Sequence, residues 1–286
     1  PRVVGAVALD VRSCATPSPR FVLFTAISVV LATGAPGGLY LDSVYPAEQT
    51  GSIGLALRTG AIAQNLTESQ YGLASIGHRW NVSGSYQQVI PRYVSTDANG
   101  GDPREFLNDA FRDAGTLGTA IFRKGYQWPF DPRRIRDSGS SLIDLLVCRE
   151  RVERGRRAYL DFTRNFDGGP LGPFAIDALH ADARTYLEKC GALGATPVER
   201  LAAMNQPAID LYRHHGIDLT ADWLEIAVCA QHNNGGLRGN IWWESNVAGL
   251  FPVGEVNGSH GVRRPGGASL NAGQVGGLRA AMYMAA

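Results

Sequence analysis

Lysine is nearly missing from this chain. Only Lys124 and Lys189 are lysines among 27 basic residues in a length of 286. The arginines that take their place are scattered, and the formal net charge is +1. A balance so near neutrality offers no basic stripe to nucleic acid and no field toward a charged membrane surface. Cysteine is scarce too: Cys14, Cys148, Cys190 and Cys229 form no Cys-x-x-Cys pair. That argues against a disulfide framework and for a reducing, cytoplasmic compartment. Cys229 and His232 have ligand-like spacing, but no second pair follows, so a buried thiol is expected and no metal. The longest apolar run, Phe21 to Ala32, is interrupted by Thr25 and Ser28. It is too short to insert directly into a bilayer and reads as buried strand. No signal-peptide pattern is visible.

What is abundant is glycine, at 35 residues, within an ordinary globular composition of 44% hydrophobic and 19% charged residues. Such a chain can bury one large or two medium cores. Residues 2–10 and 20–32 read as strands, the second ending in the glycine-rich stretch from Ala32 to Gly38. Residues 50–64 carry a helical pattern. From about Tyr71 the character changes to alternating aromatics, charges and short helices over 103–113, 141–154, 181–190 and 197–211. Glycine-rich sequence returns at His232, with an Ile241-Trp242-Trp243 strand, a stretch over 247–256 and a helix over 269–284. The expected division is 1–70, 71–230 and 231–286. The chain opens at Pro1 without a methionine and stops inside a helical pattern, so both ends read as cut.

The most informative stretch runs from Gly254 to Asn271. A strand is expected to deliver Gly254 and Glu255, a loop to carry His260 and Arg264, and the twin glycines Gly266 and Gly267 to lead into a Ser-capped helix. Twin glycines let a backbone approach a flat ligand closely. The amides of Ser269 and Leu270, at a helix N-terminus, favour negative charge. A carboxylate at a strand end, Glu255, suits a ribose hydroxyl. Taken alone, the glycines would read as a surface loop; the combination favours a cofactor site.

In this stretch the chain resembles the flavoproteins that include fumarate reductase, succinate dehydrogenase and L-aspartate oxidase. Their C-terminal motif is approximately GE…HGANRLGGNSL, against GEVNGSHGVRRPGGASL here. The resemblance implies that Glu255, Ser269 and Leu270, with Gly254, Gly266 and Gly267, contact FAD. It also implies that Arg264 binds a substrate carboxylate, a task suited to a planar guanidinium. Leu31-Ala32-Thr33-Gly34 looks like the family's ATGG strand end, placing Thr33 and Gly34 near FAD. Residues 50–54 look like its TGDG turn, with Ser52 where the family has an acid. Gln231 to Leu237 looks like its H-x-x-x-GG segment, making His232 a substrate-binding and catalytic candidate beside His260 and Arg264. By itself His232 would read as a structural histidine beside a turn.

The departures are specific. No Gly-x-Gly-x-x-Gly loop occurs, and Gly273 to Gly277 lies inside the last helical pattern. The isolated chain is therefore expected to hold FAD weakly or not at all and to be inactive by itself. The family's E-F-x-Q-F-H segment becomes Glu68-Ser69-Gln70-Tyr71-Gly72. Its proton-donating arginine, placed in the cap just before an apolar helix, aligns with Ser140. Of Arg133, Arg134 and Arg136 just upstream, Arg136 is the candidate substitute, the bland reading being a solvated basic turn.

The resulting expectation is an α/β fold: an incomplete Rossmann-like FAD-binding domain interrupted by an α+β capping domain. The activity implied is hydride transfer between flavin and a small carboxylate-bearing substrate, with an electron-transfer partner. A non-catalytic family fragment serving as a scaffold or as one subunit of an assembly is the alternative. A nucleotide-phosphate binder built on Gly34 to Gly38 is disfavoured because no Gly-Lys-Ser/Thr follows.

Overall fold

A computed structural model describes residues 1–15, 20–264 and 267–286. The chain forms two compact units. The first comprises Pro1–Leu39, Pro46–Gln70 and His232–Ala286, and the second Tyr40–Tyr45 and Tyr71–Gln231. In chain order, β1 (Gly5–Leu9), β2 (Phe21–Thr25) and β3 (Val29–Leu31) are followed by α1 (Ile53–Arg58) and β4 (Ala63–Gln64). β5 (Ser69–Ser75) leads to β6 (Trp80–Asn81), α2 (Ser85–Gln88), β7 (Arg92–Thr96), α3 (Ala114–Lys124) and α4 (Ser141–Cys148). Next come β8 (Arg157–Asp161), α5 (Ala181–Lys189), α6 (Pro197–His214) and β9 (Leu224–Asn233). β10 (Gly236–Leu237), β11 (Leu250–Pro252) and α7 (Ala268–Ala285) follow. Helices and strands are interspersed along the chain, a mixture consistent with an α/β class.

In the first unit β3 and β11 pair in parallel, Val29 opposite Leu250 and Leu31 opposite Pro252, and Val253 N–H extends the ladder to Leu31 O at 2.9 Å. Both strands therefore end at the same edge. β4 and β10 pair antiparallel. Ala56, Ala61, Leu237, Val247, Leu250 and Val256 form the core between these pairs and α1. β10 can nest there only because of glycine: a Cβ on Gly235 would stand 1.8 Å from Asn65 O, and one on Gly236 2.3 Å from Val256 O.

Three expectations for this unit are corrected. The Phe21–Ala32 run is not one buried strand. It is split into β2 and β3, and β2 is exposed along its length, Phe21 by 74% and Leu23 by 68%. Among the described residues β2 pairs only with β1, a two-stranded ribbon in which both members are largely exposed. Ile241 to Trp243 is a turn, because the Asn240 side chain accepts from the amides of Trp242 (2.8 Å) and Glu244 (3.1 Å) and takes the backbone out of any ladder. Trp243 adopts φ +65° there. Residues 50–64 are helical only over the short α1, Ile53–Arg58, and end in β4.

The second unit is built on a five-stranded sheet in the order β6-β5-β9-β8-β7, with β5–β6, β7–β8 and β8–β9 antiparallel. α3 is capped by Asp113, whose Oδ1 accepts the Thr116 amide at 2.6 Å, and it is buried along most of its length. α6 starts with a Thr196/Glu199 capping box and Pro197 in its first turn. It kinks at Asn205, two residues before Pro207, whose ring removes a helix donor and crowds the preceding turn. Residues 103–113, expected as helix, instead bridge Arg104 to Ser95 and make a single 3-10 turn, Asn108–Ala110. Cys229 is fully buried, and burial pushes its thiol pKa up to about 12.

Candidate active site

The parallel pairing of β3 and β11 carries two loops to one strand edge. Beyond β3, Gly34 turns at φ +67° and the Gln49 side chain donates to Thr33 O at 2.8 Å and Ala35 O at 3.2 Å. Gly51 (φ +76°) packs so closely on Pro36 that a Cβ would meet its Cα at 2.5 Å. This interlock brings Ser52 to the same loop, with its hydroxyl buried and without a hydrogen-bond partner among the described residues. Beyond β11, Gly254 and Glu255 lie in a 3-10 turn, Gly254–Val256, rather than on the strand itself. Gly254 backs onto α7 at Gly273, 3.5 Å from the Cβ position there.

Glu255 ties this turn to the end of β9. Its Oε1 accepts the Asn233 amide at 2.8 Å and stands 3.7 Å from His232 Nε2. His232 is buried and packs edge-on against His260, ring centroids 4.8 Å apart. Its Nδ1 lies 3.1 Å from Asn234 Oδ1, and Asn234 Nδ2 donates to Val262 O at 3.1 Å. The second bond fixes the orientation of the amide. Nδ1 is therefore assigned as the proton-bearing nitrogen, and Nε2 carries the lone pair. Burial first, then the positive charge of Arg264 and the neighbouring His260, lowers the His232 pKa to about 3. His260 is lowered as well, by burial and by Arg264. Both rings are neutral near pH 7.

Arg264 is buried at 5% exposure. Nε donates to Gln70 Oε1 at 2.9 Å and Nη1 to Ser269 Oγ at 3.3 Å, while Gln70 Nε2 donates to Arg264 O at 3.1 Å. Ser269 thus does not cap α7. Gly267, at φ +76°, occupies the cap position and has no side chain to cap with, and Ala268 opens the helix. Leu270 is 74% exposed on the first turn. Gly266 lies outside the described residues.

The structure therefore brings His232, Glu255, His260, Arg264 and Ser269 into one cluster, and Thr33, Gly34 and Ser52 into the loop beyond β3. Sequence reasoning gave no role to Gln49, Gln70, Asn233 or Asn234. The asparagines lie beside His232 and could have been suspected. Gln70 lies in the segment set against the family's E-F-x-Q-F-H, but nothing local names its partner, which is 194 residues away. No cluster of three or more His, Cys, Asp or Glu suited to a metal occurs among the described residues. No helix among the described residues is long and apolar enough to cross a membrane.

Arg136 belongs to the second unit, exposed on a 3-10 turn, Arg136–Ser138, whose Asp137 and Ser138 have positive φ. α4 begins five residues beyond it. In the same unit Arg112 directly precedes the Asp113 cap of the apolar α3 and borders a cleft of about 410 Å³ shared with Arg123, Gln127, Ser138, Ser140 and His180.

The profile of the FAD binding domain family matches residues 2–270. A fumarate reductase (CoM/CoB) subunit of Methanothermobacter marburgensis is 38% identical over 88 residues, 30% of this chain and 15% of that protein. L-aspartate oxidase of Streptomyces coelicolor is 26% identical over 265 residues, 91% of this chain and 37% of the relative. The chain thus spans well under half the length of these relatives. Among solved structures, Mycobacterium smegmatis Sdh1 in complex with UQ1 shares the fold at a TM-score of 0.58 and 20% identity, over 100% of this chain and 40% of that one.

The residues present fit such a cofactor. Gly254 (φ +79°) and Gly267 leave open space where a side chain would stand, α7 presents its first amides, and Ser52 has an unmet hydroxyl. Each suits a flat, anionic group approached by backbone. The chain belongs to the FAD binding domain family, that of the fumarate reductase and L-aspartate oxidase flavoproteins, and FAD is its cofactor.

Proposed function

We propose that the protein bearing this chain is an oxidoreductase in which FAD exchanges a hydride with a small substrate whose carboxylate is held by Arg264. Thr33, Gly34, Ser52, Gly254, Glu255, Gly267, Ser269 and Leu270 would hold the cofactor, together with Gly266. The carrying observation is a buried guanidinium fixed at Nε and Nη1, with two neutral imidazoles beside it. A guanidinium held in a buried site binds an anion more strongly than a solvated one, because little water competes.

The tautomer refines the role expected for His232. With its proton held at Nδ1 by Asn234, Nε2 accepts rather than donates near pH 7. His232 therefore orients a donor group of the bound ligand, and Arg264 supplies the charge. For proton donation, Arg136 of the second unit is the candidate that the family resemblance offers. The second unit corresponds in this reading to the capping domain. The relatives named as subunits favour an electron-transfer partner. Because the 286 residues hold no Gly-x-Gly-x-x-Gly loop, the chain alone is expected to hold FAD weakly and to be inactive without the rest of its protein.

The test is reoxidation of the reduced flavin by small α,β-unsaturated carboxylates, using the protein that bears this chain. Turnover lost by at least about 100-fold in Arg264→Ala supports the reading, since the charge acts on the reacting ligand. Turnover indifferent to Arg264→Ala refutes it.

A further inference from the structure

We propose that Gln70 is the positioning residue for Arg264, setting the direction in which the guanidinium meets a carboxylate. This rests on the reading of Arg264 as the carboxylate-binding group. Both ends of the Gln70 amide are engaged with the one arginine: Oε1 accepts from Nε at 2.9 Å and Nε2 donates to the Arg264 carbonyl at 3.1 Å. Gln70 is 7% exposed and sits on β5, whereas Arg264 lies on a loop flanked by Gly261 (φ +61°) and Gly267 (φ +76°). The loop backbone is conformationally permissive, and an arginine side chain has many rotamers.

A parallel, two-bond pairing with a carboxylate needs the guanidinium plane fixed within narrow limits. The reciprocal clasp transfers that constraint from a strand to the loop, fixing backbone and side chain of Arg264 together. Ser269 holds Nη1 from the other direction at 3.3 Å. A glutamine suits the position because it accepts from Nε without cancelling the charge. A glutamate would keep the bond and neutralise the cation.

The experiment uses the protein that bears this chain, with FAD bound. Succinate and bromide binding are measured by calorimetry, and the arginine Nε–Hε signals by ¹⁵N NMR, with thermal melts alongside. The unsubstituted protein should show a slowly exchanging Nε–Hε signal that is lost in Arg264→Ala and in Gln70→Leu. Gln70→Leu should weaken succinate binding by about tenfold or more while changing bromide binding, which needs no planar pairing, by about twofold at most. Gln70→Glu should keep the slow signal and lower the melting temperature no more than Gln70→Leu does, yet weaken succinate by more than about tenfold. If Gln70→Leu fails to fold, Gln70→Glu decides.

Folded variants with wild-type succinate affinity, or equal losses for succinate and bromide in Gln70→Leu, overturn the positioning role. Failure of the unsubstituted protein to bind succinate, or binding indifferent to Arg264→Ala, overturns the proposed function and this inference with it. A slow Nε–Hε signal that survives in Gln70→Leu overturns the clasp alone.

Discussion

His232 Nε2 faces Glu255 Oε1 across 3.7 Å, too far for a hydrogen bond, and both atoms are acceptors near neutral pH. The pair remains apart because Asn234 holds the ring proton at Nδ1 and the Asn233 amide holds the carboxylate.

The neutral state of His232 links stability to pH. Its pKa falls from the ordinary 6.5 to about 3 on folding, chiefly through burial. The unfolded chain takes up this proton near 6.5 while the folded chain does not. Its contribution is therefore full above pH 6.5 and is lost as pH falls toward 3, at up to about 1.4 kcal/mol per pH unit. NMR titration of the ring should show no protonation down to about pH 4.5, with urea midpoints falling over the same range. A ring that titrates near 6.5 contradicts the arrangement.

Gly235→Ala should destabilise the first unit by roughly 3 kcal/mol, because its Cβ would strike the Asn65 carbonyl, which is backbone and cannot rotate away. Gly54→Ala, within α1 and with open space around its Cβ position, should instead be neutral or stabilise by about 0.5–1 kcal/mol. Urea unfolding of the two variants checks the contrast.

In the second unit Lys124 and Asp144 form a fully buried ion pair. Lys124→Met should cost about 3–5 kcal/mol by leaving a carboxylate alone in the core, and adding Asp144→Leu should recover most of the loss. Equal stability of the single and double variants would contradict the pairing.

The thiols should divide sharply. Cys14, Cys148 and Cys190 are exposed, whereas Cys229 is buried with its pKa pushed up to about 12. Iodoacetamide at about pH 8 should label the first three in the native protein and Cys229 only after denaturation. Mass spectrometry of the labelled peptides reads this directly.

The α/β class was legible because periodicity and glycine placement are local. The candidate cluster between residues 232 and 269 was suggested by the resemblance of its motifs to the flavoprotein family, since His232 by itself reads as a structural histidine. What could not be read were contacts made by residues distant in the chain. Gln70 holds Arg264 across 194 positions, and no local pattern encodes that. Local competition caused other misreadings. Asn240 turned an apolar Ile-Trp-Trp run into a turn, and Gly267 took the cap expected of Ser269. The Phe21–Thr25 run shows the limit of hydrophobicity as evidence of burial, since its composition suits a core yet the strand is exposed.

The central claim is that Arg264 is the anion-binding group of an FAD site. Its most direct test is a succinate titration of the FAD-loaded protein that bears this chain, followed through the flavin visible spectrum. A saturable spectral shift, lost in Arg264→Ala and retained in the remote Lys189→Ala, is the predicted result. An identical shift in Arg264→Ala, or none in the unsubstituted protein, would contradict it.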